Sequence, residues 1–139
     1  MLVNSAQITD FIPQRAPFIM IDSLELVQDD LFVGHFTIKD NHLFLTGNTL
    51  GEEALIESIA QTCAAGFTYL SKQKGLKGGG LGFIGAVTKL VVSGTVSLNE
   101  VLKMEVRLLT SFDKIQLIEG TVSVNSKPIL NCQMKIVTP

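Results

Sequence analysis

The chain has 139 residues, 46% of them hydrophobic and 17% charged, a composition that excludes disorder and a coiled coil and suits one domain with a real core. A net charge of −2 argues against nucleic acid as a partner and leaves any acidic partner to a local basic patch. The mean hydropathy of +0.37 is high for a soluble monomer, so part of the apolar surface is expected to meet another subunit.

The opening Met1-Leu-Val-Asn-Ser has neither the basic start nor the apolar run of a secretory leader, so a reducing cytoplasm is the expected location. A short helical turn around Ile8–Ile12 stops at Pro13, and Pro17 keeps residues 13–17 extended or turned. Phe18–Val27 and Leu31–Ile38 read as two strands joined at Gln28-Asp29-Asp30. Residues 39–51, with Asp40, Asn41, Gly47, Asn48 and Gly51, read as loop.

Thr49-Leu-Gly-Glu52 has the form of a capping box and predicts a helix over about residues 50–73. Its uncharged stretch, Ser58 to Ser71, falls short of the about 20 apolar residues a bilayer span needs, so no membrane span is expected. Gly75–Gly82 then breaks the helix. The run Gly78-Gly-Gly-Leu-Gly82 precedes a strand rather than opening a helix, so it lacks the helix amides of a phosphate cradle. Phe83–Val92, Val101–Phe112, Ile115–Val124 and Ile129–Val137 alternate as four further strands; in the last, Leu130, Cys132, Met134 and Ile136 face one way and Asn131, Gln133 and Lys135 the other. One long helix among about six strands, β-β-α-β-β-β-β, is an α+β fold on an antiparallel sheet, expected to form a single domain over residues 1–139. Cys63 and Cys132 lie in apolar segments and are expected as buried free thiols; no spacing suggests a metal site, and no cofactor is expected.

The helix carries the chemical signal. At 100° steps Ile56, Phe67, Cys63, Leu70, Ile59 and Leu55 share a broad apolar face. A second stripe runs Glu53, Glu57, Gln61, Ala64, Thr68, flanked by Ala54, Ala60 and Ala65. A solvent-facing stripe would carry long charged side chains; this one is small apart from its acids. Small neighbours let a backbone or a thin ligand approach Glu57, which could then act as a general acid or base with Gln61 orienting it or the ligand. Such work suits a carboxylate that water reaches poorly. Equally, Glu57 could lie on the surface and favour the helix N-terminal half electrostatically.

Pro13-Gln-Arg-Ala-Pro-Phe-Ile-Met-Ile-Asp22 is similar to the Leu-Pro-His-Arg-x-Pro-Phe-Leu-x-x-Asp opening of β-hydroxyacyl-acyl-carrier-protein dehydratases. Asn41-His-Leu-Phe-Leu-Thr-Gly47 resembles their Asn-Glu-x-Phe-Phe-x-Gly segment, and Glu57-Ser-Ile-Ala-Gln61 their Glu-x-x-Ala-Gln on the central helix. The resemblance implies a hotdog fold, in which a curved antiparallel sheet wraps a long helix and dimers place acyl tunnels at their interface. It also implies Glu57 as the acid that protonates the departing hydroxyl, and the strand from Leu81 to Val87, with Phe83 and Gly85, as a wall of the acyl tunnel.

The departures are specific. Where those dehydratases have Gly-His-Phe-Pro, with the histidine that removes the α-proton, this chain has Gly47-Asn-Thr-Leu50. The amide of Asn48 can bind a substrate but cannot take a proton near pH 7. Gln14 replaces the histidine of the opening motif, and the interval from Asn48 to Glu57 is short for the family. The short loop is more like a divergent branch, the dehydratase-like proteins of aryl-polyene pigment clusters, some of which serve as partners of an active dehydratase.

Three functions follow as alternatives. The first is dehydration of a 3-hydroxyacyl thioester, carried by acyl carrier protein or CoA, to the trans-2-enoyl thioester. The amides around Gly51–Glu53 would then polarise the carbonyl. Glu57 would serve the leaving group, and His42, a partner's histidine or water would serve as base. The second is a non-catalytic subunit paired with a related hotdog protein, and the third is thioester hydrolysis with Glu57 activating water. A homodimer or heterodimer is expected in each. His35, beside Val33 and Thr37, is expected at the surface or an interface, and Lys72, Lys74 and Lys77 form a small basic cluster that suits the helix C-terminus or an acidic carrier protein.

Overall fold

The computed structural model describes residues 1–76 and 82–137. After a 3-10 turn, Ile8–Asp10, come strands β1 (Ser23–Val27) and β2 (Leu31–Thr37), a two-stranded hairpin β3 (Leu45–Thr46) and β4 (Thr49–Leu50), and helix α1 (Glu52–Gln73). Strands β5 (Phe83–Val92), β6 (Val101–Phe112), β7 (Ile115–Val124) and β8 (Lys127–Val137) complete the chain. The large sheet has the order β1-β2-β6-β7-β8-β5, and every neighbouring pair is antiparallel. The helix packs mainly on β1, β2, β6 and β7. One helix against a six-stranded antiparallel sheet is the hotdog arrangement the motifs implied. No described helix is long and apolar enough to cross a membrane.

Close approach of helix and sheet explains the small residues at their interface. A Cβ at Gly66 would collide with the ring of Phe32, one at Gly120 with Ile59, and one at Gly34 would press on Ile21 and Thr62 at 3.0 and 3.1 Å. Ser58, Thr62 and Gly66 therefore lie buried against the sheet. Both hydroxyls bond back into the helix, Ser58 Oγ to the Leu55 carbonyl at 2.7 Å and Thr62 Oγ1 to that of Ser58 at 2.7 Å. Of the residues expected on the broad apolar face, Leu55, Ile59 and Cys63 are fully buried, and Ile56, Phe67 and Leu70 are partly buried against the core.

The N-terminal segment covers the other side of the helix. Phe11 stacks on Tyr69 with ring centroids 6.0 Å apart, and the ammonium of Lys72 sits 4.6 Å from the Phe11 centroid. Gln61 of the small stripe also holds this segment, through the Phe18 carbonyl and the Met20 amide.

Three boundaries differ from the sequence expectation. The helix is capped by Gly51 with no side-chain hydrogen bond, so the Thr49–Glu52 capping box does not form. Thr49 is instead in β4, paired with Thr46 and bridged to Ser97. The strand expected from Phe18 starts at Ser23, because a helix side chain takes the backbone groups of Phe18 and Met20. The last strand begins at Lys127, ahead of the expected Ile129: Asn125 and Ser126, with φ of 49° and 66°, make a two-residue turn, and Pro128 falls at a register shift that spares its missing N–H. The helix does stop where glycine was expected to stop it. Gly75, with φ of 73°, donates to the Lys72 carbonyl and Leu76 to that of Ser71, satisfying the last free carbonyls. Residues 78–81 of the glycine-rich run, and Lys77 of the basic cluster, lie outside the described residues.

Candidate active site

Gln61 is the hub of the site. Its side chain is buried at 1% exposure, and its oxygen accepts from the Met20 amide at 2.6 Å. Its nitrogen donates to the Phe18 carbonyl at 2.9 Å and to Glu57 Oε1 at 3.0 Å. Residues four apart on a helix face each other, so Glu57 and Gln61 meet because of their spacing. One carboxylate oxygen of Glu57 is held by this bond. A proton on Glu57 therefore goes to Oε2, the oxygen turned away from Gln61.

His42 stands on the other side of Met20. Its Nε2 lies 3.1 Å from the Met20 sulfur, and its Nδ1 accepts from the Phe44 amide at 3.1 Å. The carbonyl of Phe44 accepts from the Gly51 amide at 3.0 Å, which ties the histidine loop to the helix N-terminus. Because a backbone N–H can only donate, Nδ1 must be bare and the imidazole proton sits on Nε2. Burial lowers the pKa of His42 and favours this neutral form. In that state Nε2 is a donor and offers no lone pair to a substrate proton. Sequence alone held no sign of this, since the Phe44 bond depends on the loop conformation.

The remaining candidates are spread more widely. Asn48 is exposed at the β3–β4 turn beside Gly47, whose φ is 60°; its carbonyl accepts from the Leu98 amide at 3.0 Å. No hydrogen bond in the structure links its side chain to Glu57. At Gly51 any Cβ would meet the carboxylate of Glu53, which folds back over the first turn. Phe83 and Gly85 are exposed on β5, at the sheet edge. The structure thus joins Glu57 to Gln61 and Gln61 to the Met20 amide, sets His42 against the Met20 sulfur and Gly51 one hydrogen bond from Phe44, and leaves Asn48, Phe83 and Gly85 apart.

Other reactive groups stand outside the site. Burial pushes the Cys63 thiol up to about 12 and that of Cys132 up to about 11, so both are inert, buried free thiols as expected. His35 bonds Glu25 at 2.7 Å near the surface and holds that carboxyl below its ordinary value. Gln14, at the opening-motif position, has a buried side-chain oxygen with no hydrogen-bond partner. Among the described residues no group of three His, Cys, Asp or Glu could hold a metal ion.

A family model described as ApeP-like, ApeP dehydratase, matches residues 6–139. The chain belongs to the ApeP-like dehydratase family. It is 21% identical over 140 residues to the 3-hydroxyacyl-acyl-carrier-protein dehydratase FabZ of Lactococcus lactis, covering 97% of this chain and 90% of that one. Among solved structures, the dehydratase heterocomplex ApeI:P from Xenorhabdus doucetiae superposes with a TM-score of 0.87 at 20% identity, covering 95% of this chain and 90% of that chain. A hypothetical thioesterase protein with coenzyme A from Streptococcus pneumoniae gives a TM-score of 0.66 at 10% identity, covering 84% of each chain. These structural likenesses establish the hotdog fold of this ApeP-like chain, a divergent relative of the FabZ dehydratases.

Proposed function

We propose that this ApeP-like chain supplies the acid half of a 3-hydroxyacyl-thioester dehydratase and is completed by a second hotdog chain that brings the base. One observation carries the reading. Glu57 is fixed by Gln61 with its second oxygen free, while the nearby His42 has its bare nitrogen occupied by the Phe44 amide. That arrangement supports Glu57 as the acid and supports a second chain as the source of the base.

In the reaction the base takes the α-proton of the substrate and the new double bond forms between the α and β carbons. The β-hydroxyl leaves with the proton from Glu57 Oε2 as water, and Glu57 is left as the carboxylate. The trans-2-enoyl thioester is the product, and the base's proton returns to Glu57 before the next turnover. The Gly51 amide is taken by the Phe44 carbonyl, so of the expected Gly51–Glu53 group it is the Glu52 and Glu53 amides that support charge on the thioester oxygen. The open edge of β5 supports pairing with a second chain: Phe83, Val91 and Val92 are 56%, 60% and 39% exposed there. The ApeI:P likeness, a dehydratase heterocomplex by description, favours a related but distinct partner. Phe83 and Gly85 would then line the acyl channel from that edge, and Asn48 would bind substrate from the hairpin.

The test is an assay of the chain alone and as a complex with a histidine-bearing hotdog homologue, with a 3-hydroxyacyl thioester on carrier protein or CoA. Enoyl absorbance and thiol release are followed together. The expected result is slow or no enoyl formation alone, formation by the complex, and a loss of about 10²–10⁴-fold in Glu57→Gln. Enoyl formation indifferent to Glu57→Gln would make the chain a non-catalytic subunit. Thiol release that depends on Glu57 would make it a thioesterase.

A further inference from the structure

Charge is divided unevenly along the chain. All 13 carboxylates fall within residues 10–57 and 100–119, while residues 58–99 and 120–139 hold six lysines and no acid. Strand β5, the edge of the large sheet, and its neighbour β8 belong to the acid-free part. Lys89 is on β5, and Lys135 on β8 is exposed opposite Ala86 of β5. The first acid met across the sheet from that edge is Glu119 on β7, two strands in, where Arg107 stands opposite it. Among the described residues neither Lys89 nor Lys135 forms an ion pair.

The backbone singles out Lys89. Three steps along β5, from Thr88 to Val91, are matched by two along β8, from Gln133 to Asn131, so Lys89 lies in a bulge with φ of 52°. Glycine holds such a left-handed conformation more readily than other residues, yet this exposed position has a lysine.

We propose that Lys89 selects the partner at the β5 edge: the strand that pairs there carries an Asp or Glu facing the bulge, and a second copy of this chain is the disfavoured occupant. The inference rests on the reading of the chain as one half of a two-chain hotdog assembly. Two β5 edges paired about a two-fold axis would bring together strands that hold lysine and no acid. With the 10 residues of β5 centred on their copies, the two Lys89 would stand roughly 11 Å apart. That is close to the Debye length of about 8–10 Å, so their repulsion is felt at ordinary salt. The exposed apolar side chains of the edge attract either strand alike, and the charge decides between them.

Lys89→Glu supplies an acidic edge on an otherwise identical chain. Labelled wild type, followed by fluorescence anisotropy, should bind Lys89→Glu about threefold to tenfold more tightly than it binds unlabelled wild type. That is the size of a cross-strand charge pair turned from repulsion to attraction. Lowering the salt from about 0.15 M to about 0.01 M should widen the gap. Lys89→Gly, which keeps the bulge without the charge, should associate with itself more tightly than wild type does. Lys103→Glu, the same reversal on β6 three strands from the edge, should bring no gain. The complex with a histidine-bearing hotdog homologue should loosen by a similar factor in Lys89→Glu. Equal affinity in the mixture and in wild type alone, an equal gain from Lys103→Glu, or a complex indifferent to Lys89→Glu would overturn the inference. Absence of association in the mixture would overturn it as well, while enoyl formation by the complex decides the two-chain reading separately.

Discussion

Gln61 joins three pieces of the chain with one amide, so its replacement has a separable cost. Gln61→Ala strands the Met20 N–H in a buried position, while the Phe18 carbonyl lies beside a half-exposed side chain that water can reach. An unsatisfied buried donor costs about 1–3 kcal/mol, and urea unfolding of the variant should show a loss in that range. Gln61→Glu should be no better, because a carboxylate accepts from Met20 but cannot donate to Phe18 and repels Glu57. Recovery of full stability in Gln61→Glu would mean that the two donations are unimportant. His42 gives a pH signature of its own. Its pKa is lowered by burial, so as pH falls the unfolded chain takes the proton first. Its contribution is whole above about pH 6.5, the ordinary imidazole value, and drains away as pH falls through the lowered value. The melting temperature of wild type should therefore fall more steeply than that of His42→Gln over this interval. Parallel curves would show that His42 titrates as if unfolded.

At the scale of elements, the helix–sheet contact sets propensity against packing at Gly66. Alanine is the better helix former by about 1 kcal/mol, yet its Cβ would enter the ring of Phe32, which is 1% exposed and packed edge-on against Phe67 at 5.1 Å. A buried ring cannot step aside, and overpacking costs about 1–3 kcal/mol, so Gly66→Ala should lower stability on denaturant unfolding despite its propensity. An increase would mean the helix is free to move off the sheet. The same contact shows what the sequence could and could not reveal. Alternation in β6 and β8 is legible because one face is buried, and the Glu57–Gln61 pair because four residues bring side chains together. On α1 hydrophobicity correctly marked Leu55, Ile59 and Cys63 as buried, but it did not mark Ser58, nor Thr62 and Gly66, whose small size the closeness of Gly34 and Phe32 demands. The capping box failed for a similar reason: Thr49 is drawn into pairing with Thr46 and Ser97, a partner far along the chain. His42's fixed tautomer was equally hidden, since it depends on a loop bond rather than on spacing.

For the molecule as a whole, the balance of covered and open surface decides what the fold needs. The helix covers β1, β2, β6 and β7, and the first twenty residues cover the helix, while β5 stands as the far edge of the sheet. That edge has Ile84, Leu90 and Val91 exposed at 38%, 43% and 60%. Lone proteins blunt such an edge with charge, yet here only Lys89 interrupts it, at φ of 52° within a register shift. Phe83, Ile84, Leu90, Val91 and Val92 thus put exposed apolar surface where another strand can pair. Val91→Lys tests this directly. Because Val91 is already exposed in the single chain, the substitution should change its folding stability by no more than about 0.5 kcal/mol. In an associated state the same lysine would lie unpaired among apolar side chains, which is costly. Sedimentation should therefore show the wild-type chain in a dimer, with itself or with its hotdog partner, and Val91→Lys as a folded monomer. A variant that keeps both its fold and its assembled mass would place the contact on some other face and leave the β5 edge without an occupant.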